Sequence, residues 1–416
     1  MKSHSDVLVI GGGIIGAACA HELAERGKSV VLIDRGEIGH GCSYGNAGWV
    51  TPCFAMPLPM PGMLLKSIGW LLDPASPLYI QPRPSWGLIC WLTRFLFSMN
   101  RQAMNQSITA LAGLAKYSLE AYRRMDAGRP GSFGFTQKGL LMVTATQDGL
   151  DSCRQSVELM ARHGIPGRGL DAGQVGEMEP AIIRETILGG VYFPEEAHAE
   201  PLAAVNALIE GAVKHGATIL PRTEVFDFIC RDQRIESVRT THGSMTADEI
   251  VLATGSWSPN QARSLDLRLP VLAGKGYAVV VEPFEPAPTI PIMLIEKKIA
   301  ITPRGHSVRL SGTLELVGID ESITARRVDA IISGARAMLH VPLEPKVIEV
   351  WCGLRPCTPD GVPIIGRPSN LSNLVVATGH QMIGLLTAPG TGRLVADIIC
   401  GKDPLFDLHP FRATRF

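Results

Sequence analysis

The chain has no C-x-x-C pair, and its nine cysteines are scattered and odd in number, so neither a zinc site nor a disulfide framework is indicated. Thiols used in this way fit a reducing, cytoplasmic compartment. Neither sign of charge is in surplus, with 39 Lys plus Arg against 39 Asp plus Glu. Neutralising phosphates needs an excess of cations, so the balance argues against nucleic acid as a partner. No apolar run reaches the roughly 20 residues that a spanning helix needs. The two longest candidates, 62–72 and 86–97, are shorter and carry Lys66 and Arg94. No apolar leader precedes the first strand, and no repeat of solenoid period is visible.

What the chain does have is length for two domains, a 46% hydrophobic composition that allows a sizeable core, and 44 glycines. Abundant glycine suits a protein whose backbone comes close to a ligand in several places.

The first sixty residues say most. Asp6-Val-Leu-Val-Ile10 is a short apolar run, the pattern of a buried parallel strand. Gly11-Gly-Gly-Ile14-Ile15-Gly16 follows at once, and residues 17–26 read as a helix closed by Gly27. A second buried strand, 29–33, ends in Asp34, 18 residues after Gly16. Gly11 permits the tight turn, Gly13 admits a pyrophosphate close to the backbone, and Gly16 lets helix and strand pack. The helix N-terminus offers free N–H groups and the positive end of its dipole to phosphates. Asp34 can accept from ribose hydroxyls and would repel a 2′-phosphate, which argues against NADP. A lone G-x-G-x-x-G is weak, but strand, glycines, helix, strand and acid in order are a strong dinucleotide signature.

A second glycine-rich loop follows, Arg35 to Gly39, then Gly41-Cys42-Ser43-Tyr44-Gly45-Asn46-Ala47-Gly48. NAD does not require it. A cofactor that continues past its pyrophosphate into a flavin ring does, with Ser43 and Asn46 as donors, so FAD is the expected cofactor. Cys42 reads as a small buried cysteine in preference to a covalent flavin link.

With those residues in place, the sequence resembles the D-amino acid oxidase-like superfamily of flavoproteins, and within it the bacterial D-amino acid dehydrogenase small-subunit type. The resemblance runs over essentially the whole chain. It rests on Gly11–Gly16, Ser43–Gly48, Lys275-Gly-Tyr277, Gly353-Leu-Arg355-Pro with Thr358-Pro-Asp-Gly361, and Gly379-His380 with Gly384. It implies an α/β fold with a discontinuous Rossmann-like FAD-binding domain and a substrate or cap domain built on a mixed β-sheet. The FAD-binding domain is expected to comprise residues 1–50, 198–263 and 346–416, and the cap 51–197 and 264–345. The resemblance also implies that Val225 holds the adenine through its backbone. Ala253-Thr254-Gly255 would reach the pyrophosphate side, and Gly353, Gly379, Met382, Ile383 and Gly384 would lie near the flavin.

Arg355 is expected in a turn-like segment with Pro356, Pro359 and Gly361, after a strand at 347–351. For the substrate, the resemblance gives Arg355 the role of a carboxylate clamp. A guanidinium is a natural bidentate partner for an amino-acid carboxylate, although an isolated arginine is more often a solvated surface charge. Tyr277 is either a substrate-facing group or an aromatic strand residue, and His380 either a polar group beside the flavin or a structural histidine. The expected reaction is hydride transfer from the Cα of a neutral D-amino or cyclic D-imino acid, such as D-proline or D-hydroxyproline, to flavin N5, with no dedicated acid–base pair and no metal. A quinone-type acceptor would take the electrons. Segment 57–105, with Trp70, Trp86 and Trp91 among Lys66, Arg83, Arg94 and Arg101, reads either as a buried insertion or as a contact with the inner face of the cytoplasmic membrane. An oxidase making hydrogen peroxide and a flavoprotein subunit of a larger complex stay open as alternatives.

Two positions depart from the closest type. Gln381-Met382 follows His380 where a glycine is typical, and Ser311 precedes Gly312 where a second glycine is frequent. Both are expected near flavin or substrate, which leaves the amino acid unspecified.

Overall fold

The structure is a computed structural model and describes residues 4–60, 78–80 and 86–416. Val7, Leu8, Val9 and Ile10 are all buried, as in a strand covered on both faces. Their strand, His4–Ile10, pairs in parallel with Val30–Ile33 on one side and Gly243–Leu252 on the other. Thr218–Leu220 and Leu374–Thr378 extend the parallel sheet at its two ends. Helix Ile14–Glu25 connects the first two strands. It packs so closely on helix Gly384–Ile399 that a Cβ at Gly392 would come 2.5 Å from the Ala18 carbonyl oxygen.

The second sheet is mixed. Its order is Val347–Cys357, Leu272–Val281, Val308–Leu316, Ile299–Pro303, Ile292–Leu294, Leu140–Thr144, Gly189–Phe193, Arg168–Asp171. Side chains alternate between its faces. Tyr277, Val279, Val281 and Leu310 point to the back and pack with Ile331 and Ala335 of helix Ala325–Arg336. Leu140, Met142 and Ala300 point to the front and join the core of the first domain. The front face of the cap sheet therefore looks onto the nucleotide-binding half.

The expected boundaries need two corrections. Strand Val347–Cys357 pairs along its length with Leu272–Val281 and is a cap strand, although 346–416 was expected to belong wholly to the FAD-binding domain. Its run through Gly-Leu-Arg-Pro is extended strand, where the prolines and Gly361 suggested a turn beginning after Trp351. Helix Arg101–Gly128 lies within the stretch assigned to the cap, yet its buried stripe packs on helix Gly384–Ile399. Tyr122 Oη donates to the Leu385 carbonyl at 2.9 Å.

One buried carboxyl gives a pH dependence. Glu196 accepts from the Cys53 N–H at 3.1 Å and is almost fully enclosed, and burial pushes its pKa up to about 8. The group binds its proton more tightly folded than unfolded. Its stabilising effect is complete below about 4.5 and is lost as pH rises through about 8. Glu196→Gln mimics the protonated acid, so its Tm is expected to fall less than the parent's between pH 5 and 9 in thermal unfolding of the holoprotein. Parallel Tm curves would refute this.

Candidate active site

Gly11 turns the chain with φ +111°, and the ideal Cβ of Gly16 would lie 1.8 Å from the Gly11 carbonyl oxygen. No side chain could stand at Gly16 without displacing that turn. Gly13 is the N-cap of helix Ile14–Glu25 and supplies no side-chain cap. First-turn N–H groups have no partner within a helix. Here Ser43 Oγ accepts from the Ile14 N–H at 2.9 Å, and the Gly12 N–H is taken by Asp34 Oδ2 at 2.7 Å. Asp34 Oδ1 accepts from the Gly36 N–H at 2.8 Å. The acid thus fixes the loop it follows, and each oxygen keeps a lone pair for a ribose hydroxyl.

A cavity of about 530 Å³ runs along these groups. One end lies at Val225, Glu224, Trp257 and Gln261, where the Arg35 guanidinium sits 4.2 Å over the Trp257 ring. The middle is lined by Gly11, Gly13, Ile14, Ile15, Asp34, Arg35, Gly41, Cys42 and Ser43, with Ala253, Thr254 and Gly255 opposite. The other end is lined by Asn46, Pro356, His380, Gln381 and Gly384. A long, glycine-floored cleft that starts at an aromatic and ends at a second helix N-terminus fits an extended dinucleotide with a large ring. Cys42 donates its thiol to the Leu354 carbonyl, and burial lifts its pKa to about 11, so it is held as a thiol.

The remaining expected cofactor residues shape the walls without lining the cleft. Ala47 offers its carbonyl to Thr302 Oγ1 at 2.7 Å, and Gly48 passes so close to Ala199 that a Cβ would meet its carbonyl oxygen at 2.4 Å. Gly379 adopts φ +81°, the Ile383 N–H donates to the His380 carbonyl, and the Met382 carbonyl accepts from Asn46 Nδ2. Gly353 leaves room for the Trp351 ring, which a Cβ there would meet at 1.9 Å.

The three expected catalytic residues divide. Arg355 lies on the front of the cap sheet. Its guanidinium rests on Gly276, where a Cβ would come 2.2 Å from Cζ, and Nη1 donates to the Thr313 carbonyl. Thr313 holds φ +65°, strained for a β-branched residue. Burial lowers the Arg355 pKa, and no carboxylate among the described residues faces it. His380 lines the cavity, but its Nε2 is within 3.0 Å of Thr391 Oγ1, and burial depresses its pKa to about 3. It is therefore a neutral imidazole at neutral pH.

Tyr277 is not brought to the cavity. Strand alternation sends it to the back of the sheet, where its hydroxyl donates to Glu315 Oε2 at 2.7 Å. Arg327 Nε and Lys275 Nζ flank the same carboxylate at 2.8 and 3.7 Å, and Asp320 pairs with Lys275 at 2.7 Å. The Lys-Gly-Tyr segment thus anchors helix Ala325–Arg336.

Sequence reasoning did not single out Trp257, Gln261 or Trp351, because none stands in a recognisable motif. The two departures do carry a structural signal. Gln381 is held at φ +49° with its Nε2 buried and unpartnered, and Ser311 Oγ is likewise buried without a partner among the described residues.

A family of FAD dependent oxidoreductases matches residues 6–398. The chain belongs to this family. It is 30% identical to the D-amino acid dehydrogenase of Granulibacter bethesdensis, covering 99% of each chain. It is 34% identical to that of Methylobacterium nodulans over 96% of each. Glycine oxidase from Geobacillus kaustophilus superposes over 100% of both chains with a TM-score of 0.81 at 26% identity. L-proline dehydrogenase from P. horikoshii shares the fold, with a TM-score of 0.78 at 22% identity.

Proposed function

We propose that this FAD-dependent oxidoreductase oxidises a D-amino acid or cyclic D-imino acid and passes the electrons to a quinone-type acceptor. The observation that carries the reading is Arg355, a desolvated guanidinium next in the chain to Pro356 of the cleft lining, with no carboxylate among the described residues to neutralise it. A buried cation without a counter-ion calls for an anionic ligand. Two parallel N–H donors match a carboxylate. Gly11, Gly13 and Gly16, the helix N-terminus at Gly13 and the end at Gly384 would hold FAD. Bound there, FAD supplies the acceptor for the hydride leaving Cα.

The protein's own part is positioning. Arg355 fixes the carboxylate and so aims the Cα–H; restricting orientation in this way removes several kcal/mol of barrier. The substrate reacts with its amine neutral, and His380, with its pKa near 3, takes no proton from it at neutral pH. An anaerobic screen of D-amino and imino acids against the holoprotein tests the reading. Bleaching of the flavin absorbance by one of them is expected, and its failure with the whole set would overturn the assignment. Peroxide formed at the rate of turnover in air would replace the quinone-type acceptor with oxygen.

Helix Trp86–Ser98 supports a membrane-side acceptor. Leu88 and Trp91 face inward, and Trp91 Nε1 donates to the Cys357 carbonyl at 3.1 Å. Trp86, Ile89, Leu96 and Phe97 face outward, with Trp86 and Phe97 each 78% exposed and Arg94 and Arg101 beside them. Trp70 and most of the preceding segment lie outside the described residues. No helix among the described residues is long and apolar enough to cross a membrane, so the contact would be peripheral. In flotation with anionic vesicles the parent protein is expected to rise with the lipid, and Trp86→Glu/Phe97→Glu to stay with the soluble fraction. Equal partitioning would reject the contact.

A further inference from the structure

We propose that Trp351, Ala278 and Ser311 form the subsite for the substrate's side chain, and that the Ser311 hydroxyl selects a side chain carrying a hydroxyl group. The inference rests on the reading above that Arg355 holds the carboxylate of a D-amino or imino acid.

The register of the cap sheet places the three residues in one row. Ala278 pairs with Trp351 on one side and with Ser311 on the other. The row lies on the front face. Leu310 joins the core behind the sheet, and a Cβ at Gly312 would meet Ile331 there, so Ser311 between them points forward. Arg309, two residues earlier, donates from Nη1 to the Asn46 carbonyl at 2.6 Å, so the second glycine-rich loop crosses the neighbouring row. On the other side of the row lies Gly276, which pairs with Gly353 and carries the Arg355 guanidinium on its surface. The row is thus bounded by the flavin-side loop and the carboxylate clamp.

Its three members divide the work by shape. The Trp351 ring fills the space over Gly353 and touches Gly45, where a Cβ would meet it at 2.0 Å. It forms a flat apolar wall. Ala278 adds only a methyl group between the other two. Ser311 closes the far side, 7% exposed, with its Oγ unpartnered among the described residues. Strand spacing and rise put Ser311 roughly 8 Å from Gly276, diagonally across the pleat. That span suits an amino acid whose carboxylate meets the guanidinium and whose β- or γ-hydroxyl meets Ser311. Gln381 Nε2, also buried and unpartnered, adds a donor to the cavity from the nucleotide-binding half.

The test compares matched substrate pairs on FAD-loaded protein, D-serine against D-alanine and 4-hydroxy-D-proline against D-proline. The parent is expected to favour the hydroxylated member of at least one pair. In Ser311→Ala the ratio of kcat/KM within that pair should fall about tenfold, the worth of one hydrogen bond to a buried group. Ala278→Val should crowd the row between Trp351 and Ser311 and lower kcat/KM for every such substrate relative to glycine. A ratio unchanged by Ser311→Ala, in variants that retain the flavin absorbance, would overturn the subsite. A parent that oxidises no D-amino or imino acid would instead overturn the function on which it rests.

Discussion

Arg355→Ala is expected to lower kcat/KM for the preferred amino acid by about a hundred- to several-thousandfold while the purified protein stays yellow. The size follows from what is removed. Truncating one partner of a desolvated ion pair costs about 3–5 kcal/mol, at about 1.4 kcal/mol per tenfold. Among the described residues the guanidinium is held by the Thr313 carbonyl and the surface of Gly276, with no carboxylate against it, so its loss leaves no buried carboxylate among them unpaired. The fold should therefore tolerate the change. Arg355→Lys keeps the charge but loses the fork that bonds two oxygens at once, and it should recover only part of the rate. The measurement is flavin reduction under anaerobic conditions across a range of substrate concentrations. Wild-type kinetics in the alanine variant would remove the clamp.

How much of this was legible depended on how local each signal is. The nucleotide-binding unit needs glycines, a strand and an acid within some thirty residues, all readable in order, and the structure places Gly11, Gly13, Ser43 and Asp34 along one cleft. Arg355 was legible through its neighbours, but its setting was not. Pro356 and Pro359 read as a turn, yet strand Val347–Cys357 carries Arg355 and Pro356 at the edge of its sheet, where proline is tolerated. The side on which Tyr277 lies was hidden for a different reason. The face to which a strand residue points is set by register, and one residue of slip reverses it. Lys275-Gly-Tyr277 lies where the pairing with Val308–Leu316 shifts, and the charges that claim the tyrosine, Glu315 and Arg327, are 38 and 50 residues away. Ser311 and Gln381 were visible as departures. Their meaning came only from seeing both polar ends buried and, among the described residues, unpartnered.

The opening glycines allow a sharper test, because Gly11 and Gly13 fail in different ways. Gly11→Ala should cost both FAD and stability. Its φ of +111° is closed to ordinary side chains, and the new Cβ would lie 2.4 Å from the Ala253 carbonyl oxygen. The two strand ends are tied there, Ala253 N–H donating to the Ile10 carbonyl and Gly11 N–H to the Ile33 carbonyl, each at 2.8 Å. Pushing them apart should cost about 2–4 kcal/mol, from strain and overpacking together. It would also widen the cleft between Gly11 and the Ala253–Gly255 segment. Gly13→Ala is gentler to the fold, since its φ is −72° and the nearest atom to the new Cβ is Ser43 Oγ at 3.2 Å. Its methyl group instead stands at the N-cap, where a pyrophosphate must come close to the backbone. Gly11→Ala is therefore expected to purify colourless with a lowered Tm. Gly13→Ala should unfold as apoprotein near the parent's Tm and take up FAD at least tenfold more weakly in a fluorescence titration. Parent-like FAD affinity in Gly13→Ala would place the pyrophosphate away from this helix, and with it the rest of the cofactor's path toward Arg355.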